Sequence, residues 1–283
     1  MKKYVVFGGF GQLGLALQKE KPDDVLLYPV SRQRISITDY DTVKKYLEFI
    51  QPDVVVNAAA YTNVNKAEDE FLKAFNANTQ GPAILAELCE EMGIRFIHIS
   101  TDYVFNGSDS AIADREGYFP YDHTSPLNTY GKTKEIGERW VTGINDQAIV
   151  IRTSGVYSEF GNNFAKTIYN AAKEGRKEFD VVADQVCCPT YAPDLAKAIY
   201  EYGHGEGEWA LGITHFAGDE SISWFDFAKL LTSEFDSVIV SPTETSPQAK
   251  PQRPKNSSLK TIGLTPSNFR EGVAKTLTAI NKV

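Results

Sequence analysis

Short apolar runs rich in β-branched residues alternate with longer amphipathic segments through the first half of the chain. The runs are Tyr4–Phe7, Val25–Val30, Asp53–Asn57, Arg95–Ile99 and Ala148–Ile151. Helical periodicity spans Gln12–Glu20, Asp41–Ile50, Ala77–Met92 and Thr129–Val141 between them. The runs are nearly continuous in apolar character. Strands of that kind are buried on both faces, which marks a parallel sheet covered by helices. Each intervening segment is long enough for a crossover connection. The pattern predicts an α/β fold with a doubly wound parallel sheet.

The regularity fades after residue 152. Helices are predicted at Phe164–Lys173, Pro193–Tyr202 and Ser223–Phe235, and the Pro- and Ser-rich stretch SPTETSPQAKPQRPKNSS (241–258) reads as an extended loop. The expected division is a dinucleotide-binding domain of residues 1–152 plus about 192–212. A smaller C-terminal substrate-binding lobe takes about 153–191 plus 213–283. The cleft between the two is the expected ligand site.

Composition narrows the function. With 42% hydrophobic and 23% charged residues over 283, the chain can bury a substantial core. A formal net charge of −8 argues against a nucleic-acid binder and against a polybasic membrane binder. No apolar run approaches a membrane span, and the run in MKKYVVFGG is too short for a secretory signal. Cys89, Cys187 and Cys188 form neither a disulfide framework nor a zinc pattern. These points predict a cytoplasmic protein with no metal site.

The first apolar run leads into YVVFGGFGQLGLAL. Gly9, Gly11 and Gly14 fit GxGxxG, and Gly8, Gly11 and Gly14 fit GxxGxxG. Either spacing gives a tight turn, room for a pyrophosphate and close helix–strand packing. Amides of Gly11, Gln12 and Leu13 at the helix start would then face the phosphates. This is the Rossmann-type arrangement. An acid about 20 residues on would hold the ribose of NAD. Here the second run is followed by SRQR, so Ser31 and Arg32 stand at that place. A hydroxyl and a guanidinium suit the 2′-phosphate of NADPH better, with NADH as the alternative.

Four further stretches belong with that turn: DVVVNAAAYTNVNKAE (53–68), ISTDYVFNG (99–107), PLNTYGKTKEIGE (126–138) and IRTSGVY (151–157). Together they resemble the dTDP-4-dehydrorhamnose reductase family of extended short-chain dehydrogenases/reductases. The resemblance runs on through GNNF (161–164), DQVCCPTYAPDLA (184–196), SWFDFA (223–228) and RPKNSSL (253–259). It implies NADPH-dependent reduction of the 4-keto group of a nucleotide-linked 4-keto-6-deoxy sugar. Thr101, Tyr130 and Lys134 match the family's catalytic trio. Tyr130 and Lys134, four apart, share a helix face. Tyr130 would give the carbonyl oxygen its proton, Lys134 would favour the phenolate and hold the nicotinamide ribose, and Thr101 would orient the substrate oxygen. Asn57, Ala58, Ala59 and Tyr61 follow the third strand, along the cofactor. Asn78 matches a helix asparagine of structural or water-holding type.

Tyr103 stands where related dehydratases carry a glutamate base, which favours reduction over dehydration. Substrate contacts are expected from Tyr103, Gly155, Asn163, Gln185 and Arg253, with Asn162 as a weaker candidate. Gly155 replaces a Trp common in the family, and Cys187–Cys188 replace Gly–Ser. Both departures bear on the sugar rather than on the chemistry. A homodimer is an open expectation. The alternatives are a noncatalytic cofactor-binding subunit, of the kind that regulates methionine adenosyltransferase, and a reductase or epimerase of another sugar nucleotide.

Overall fold

The computed structural model describes residues 1–107, 117–205 and 211–282. Residues 206–210, inside the segment expected to return to the first domain, and Val283 lie outside the described residues.

The first strand, β1 (Lys2–Phe7), runs into α1 (Gln12–Lys19). There follow β2 (Val25–Val30), α2 (Tyr40–Ile50), β3 (Val54–Asn57), α3 (Val64–Ala67), α4 (Phe71–Phe75) and α5 (Gly81–Met92). Then come β4 (Arg95–Thr101), α6 (Thr129–Ile144), β5 (Ile149–Thr153), α7 (Phe164–Lys173), β6 (Glu178–Val182), β7 (Val186–Cys187) and α8 (Ala192–His204). The chain continues through β8 (Gly212–His215), β9 (Ile222–Ser223), α9 (Trp224–Leu231), β10 (Ile239–Thr243) and α10 (Phe269–Asn281).

Six parallel strands form the main sheet in the order β2-β1-β3-β4-β5-β8. Alternate side chains leave opposite faces of a strand. Tyr4, Val6, Val54, Val56, Ile97 and Ile151 accordingly pack on one face, against α1 and α8. Val5, Phe7, Val55, Phe96 and Val150 pack on the other, against α2 and α5. This two-sided burial is why the strand sequences read as unbroken apolar runs. The order reverses at β1, which has β2 on one side and β3 on the other. Ligands of open parallel sheets bind at such a switch, beyond the strands' carboxyl ends.

β8 is the sixth strand of this sheet, so the returning segment extends to His215. The second lobe packs α7, α9 and α10 around Phe227 and Phe269. It adds two small pairs, β6 with β10 and β7 with β9. The expected loop at 241–258 therefore begins inside a strand. β10 pairs on one side only, and an edge strand tolerates Pro242. The segment expected as one helix from Ala77 starts earlier, at Phe71, and carries a π turn at Asn76–Gln80.

Candidate active site

The glycine turn is closed by sterics. Gly8 has φ +78, and a Cβ there would lie 2.6 Å from the Ala59 nitrogen. A Cβ on Gly14 would come within 2.5 Å of Gly9 Cα, so β1 and α1 can only meet this closely at glycine. At Gly11, the N-cap of α1, a Cβ would meet nothing nearer than Gly8 O at 3.3 Å. The backbone there is open to an approaching group.

A cavity of about 590 Å³ lies beyond the ends of β1, β3, β4 and β5. Gly11, Gln12 and Leu13 form one wall, Ala58 lies beside them, and Thr101, Tyr130 and Lys134 line the same space. Gly155 and Asn163 also line it, as do Phe164 and Trp224 of the second lobe. A second cavity, about 500 Å³, takes Gly8, Arg32, Ala59 and Tyr61, together with Lys66 and Lys73. Ala60 and Thr62 line both, so the loop after β3 joins the two cavities. The turn and that loop frame one elongated groove, the shape an extended dinucleotide needs. Two buried polar atoms in the larger cavity, Gln12 Nε2 and Thr153 Oγ1, have no hydrogen-bond partner among the described residues. Buried polar groups are seldom left so, and a polar ligand in the groove would satisfy them.

The α6 helix delivers Tyr130 and Lys134. Asn128 caps its start by accepting from the Gly131 N–H at 2.9 Å. Gly131 packs on the Tyr103 carbonyl and Gly137 on that of Asn78, approaches that a side chain would block. Asn78 sits in the π turn. It accepts from the Tyr61 N–H at 2.8 Å and donates to the Tyr61 carbonyl at 3.0 Å and to Thr133 Oγ1 at 3.1 Å. It thereby pins the loop after β3 to α6, a structural role.

Burial pushes the Tyr130 phenol up to about 12, while its hydrogen bond with Thr101 pulls the other way and the Asp102 charge adds to the rise. Lys134 is 1% exposed. Burial brings its ammonium down to about 8, against the pull of Glu138. Its Nζ donates to the Ile99 carbonyl at 2.5 Å and lies 3.4 Å from His98 Nε2. Thr101 Oγ1 donates to Asp102 Oδ1 at 3.0 Å. Ser154 and Ser257 donate to the other oxygen of Asp102 at 2.7 and 2.6 Å. Burial raises the Asp102 carboxyl and these three hydroxyls oppose the rise.

The remaining candidates divide. The Tyr103 ring meets Tyr130 edge-on at 5.8 Å and feels the Arg253 charge. Arg253 donates to Asn65 Oδ1 at 3.0 Å. Asn163 caps α7. Gln185 donates to Thr245 Oγ1 at 2.8 Å and does not line the cavity. Ser31 accepts the Arg34 and Ile35 N–H groups with its carbonyl. Asn57 is wholly buried beneath the loop it precedes. Gly155 has φ +49, and a Cβ there would lie 3.3 Å from Cys187 Sγ and 3.5 Å from the Trp224 ring. Sequence reasoning missed His98, Asp102, Thr153 and Trp224 as neighbours of this site. Asp102, Thr153 and Trp224 lay within the stretches ISTDYVFNG, IRTSGVY and SWFDFA, whereas His98 carried no signal.

Residues 1–281 match the model of the RmlD substrate binding domain family. A dTDP-4-dehydrorhamnose reductase of Sinorhizobium fredii is 33% identical, over 98% of this chain and 97% of its own length. The chain belongs to the dTDP-4-dehydrorhamnose reductase family. It is an oxidoreductase by that membership. The spore coat polysaccharide biosynthesis protein SpsK of Bacillus subtilis is 34% identical over 98% and 97% of the two chains. Among solved structures, the dTDP-4-dehydrorhamnose reductase of Bacillus anthracis, in complex with NADP, superposes with a TM-score of 0.90 at 34% identity, covering 98% of this chain and 99% of that one. The likeness to that family holds over the full length of the fold, both lobes included. Among the described residues, no helix is long and apolar enough to cross a membrane.

Proposed function

We propose that this chain uses NADPH to reduce the 4-keto group of a nucleotide-linked 4-keto-6-deoxy sugar, a reading supported by relatives named dTDP-4-dehydrorhamnose reductase and by the NADP in one solved relative. The observation that carries this reading is the meeting of Thr101, Tyr130 and Lys134 in one cavity with the glycine turn. Gly11, Gln12 and Leu13 would hold the pyrophosphate, and Ala58 to Tyr61 the middle of the dinucleotide. Arg32 and Lys66, with Lys73 paired to Glu70 in the same cavity, leave the adenosine end net positive and suited to a 2′-phosphate. When bound, the nicotinamide supplies the hydride.

The chain's own part is to bind, to orient and to move a proton. Tyr130 keeps its proton through the physiological range and gives it up only as charge develops on the sugar oxygen. Thr101 is anchored by Asp102 and fixes the Tyr130 hydroxyl. Lys134 would hold the nicotinamide ribose. Phe164, Trp224 and Gly155 shape the sugar side, where the glycine lets the backbone pack close to Cys187 and Trp224. The test is loss of NADPH absorbance with a set of nucleotide-linked 4-keto-6-deoxy hexoses. Turnover with at least one member of the set is expected. Arg32→Ala should raise KM for NADPH far more than KM for NADH. Tight NADPH binding without turnover of any member would overturn the reductase reading.

A further inference from the structure

His98 lies on β4, fully buried, between Asn57 and Lys134. Its tautomer follows from its neighbours. Asn57 Oδ1 accepts the Ala59 N–H at 3.1 Å, which turns the amide nitrogen toward His98 Nδ1, also at 3.1 Å. An amide NH₂ can only donate, so Nδ1 is the acceptor. A neutral imidazole with an accepting Nδ1 carries its proton on Nε2. That atom lies 3.4 Å from Lys134 Nζ. Two donors therefore face each other whenever Lys134 is an ammonium. A neutral amine has a lone pair and would accept.

Burial, and then the Lys134 charge, hold His98 well below its usual range, so it stays neutral and cannot relieve the conflict by changing charge. The Ile99 carbonyl at 2.5 Å is the favourable partner of the ammonium. Glu138, one turn along α6, is the charged group that opposes burial at Lys134. The other charged or titratable groups nearby have partners of their own. Tyr130 bonds Thr101, Asp102 is held by three hydroxyls, and Arg152 on β5 is bound to Glu138. From β3 and the π turn, Asn57 and Asn78 bring no charge.

We propose that His98 is a positioning residue for the reduction: its Nε2–H fixes Lys134 Nζ against the Ile99 carbonyl and disfavours the ammonium form. The importance of this for turnover rests on the reductase reading. The tautomer and the ionisation of Lys134 do not.

The test separates the two. In the NADPH-free protein, ¹⁵N shifts of labelled histidine should show His98 as the neutral Nε2–H tautomer between about pH 5 and 9. A proton on Nδ1, or a charged ring, would overturn the proposal even if no variant folds. The ¹³Cε resonance of Lys134, assigned by its absence in Lys134→Met, should titrate far below the other lysines. In His98→Gln an amide oxygen can turn to the ammonium, and the titration should move up by about one unit, a tenfold gain in proton affinity. An unmoved titration would overturn the proposal. With substrate, the alkaline limb of kcat should move in the same direction while KM for NADPH stays within about threefold. A wild-type protein without turnover would defeat the reductase reading and leave the two spectroscopic results to decide this one.

Discussion

Replacing Arg152 by Met would break a buried ion pair that joins the main sheet to α6. Arg152 on β5 and Glu138 on α6 are 3% and 2% exposed. The guanidinium gives three hydrogen bonds to the carboxylate, from Nε at 3.0 and 3.2 Å and from Nη2 at 2.7 Å. Nη1 donates to the Pro120 carbonyl at 3.1 Å, and the group lies 5.0 Å from the Phe105 ring centre. In the variant, the Glu138 carboxylate would keep only the Ser100 hydroxyl as a hydrogen-bond partner among the described residues, with the Lys134 charge nearby. Removing one partner of a buried pair costs about 3–5 kcal/mol, because the other charge is left in a medium that solvates it poorly. For a chain of this size that corresponds to a fall in Tm of roughly 10 °C. Differential scanning calorimetry at pH 7 reads it directly. The double variant Arg152→Met, Glu138→Leu should recover part of the loss, since the carboxylate is then no longer stranded, although Lys134 loses the charge that opposes its burial. A single-variant cost below about 1 kcal/mol, the scale of a surface pair, would refute the reasoning.

Three further outcomes are expected. Lys134 has a folded-state value near 8, below the 10.5 of a free lysine, so the unfolded chain binds more protons between those values and stability due to this group rises with pH there. The stability advantage of Lys134→Met over wild type should therefore shrink by up to about 3 kcal/mol between pH 7 and 10.5, measured by urea titration; a constant difference would show that Lys134 is not shifted. Gly14→Ala forces a Cβ to within 2.5 Å of Gly9 Cα, and should cost about 1–3 kcal/mol together with most NADPH affinity in calorimetric titration; near-wild-type binding would contradict the close helix–strand contact. Asn78→Ala leaves the Tyr61 N–H without its partner and should lower stability by about 1–3 kcal/mol, with protection of the Tyr61 amide against hydrogen exchange falling first.

Much of the main sheet was legible because parallel strands buried on both faces leave unbroken apolar runs, as VVVN at β3 does. The glycine turn and the Tyr130–Lys134 spacing were legible for a different reason: each lies within a few residues of chain. The π turn at Asn76–Gln80 was not, since one wide turn inside a helix barely disturbs its apolar period. β10 was hidden by Pro242 and its Ser and Thr neighbours, which an edge strand accepts. The surroundings of the trio were least visible. Asp102 draws on Ser154 and Ser257, and Lys134 meets His98 from 36 residues away. Such contacts are set by which strand ends the fold brings together. The same applies to Gln185, whose motif suggested the sugar pocket but whose amide reaches Thr245.

The most direct measurement is isotope transfer. NADPH carrying deuterium at the reactive nicotinamide carbon would be incubated with a nucleotide-linked 4-keto-6-deoxy hexose, using wild type and Tyr130→Phe. The account predicts deuterium at C4 of the product sugar with wild type. It predicts a rate about 10²–10⁴-fold lower with Tyr130→Phe, at nearly unchanged NADPH affinity. Product without deuterium at C4, or a Tyr130→Phe variant as fast as wild type, would contradict it.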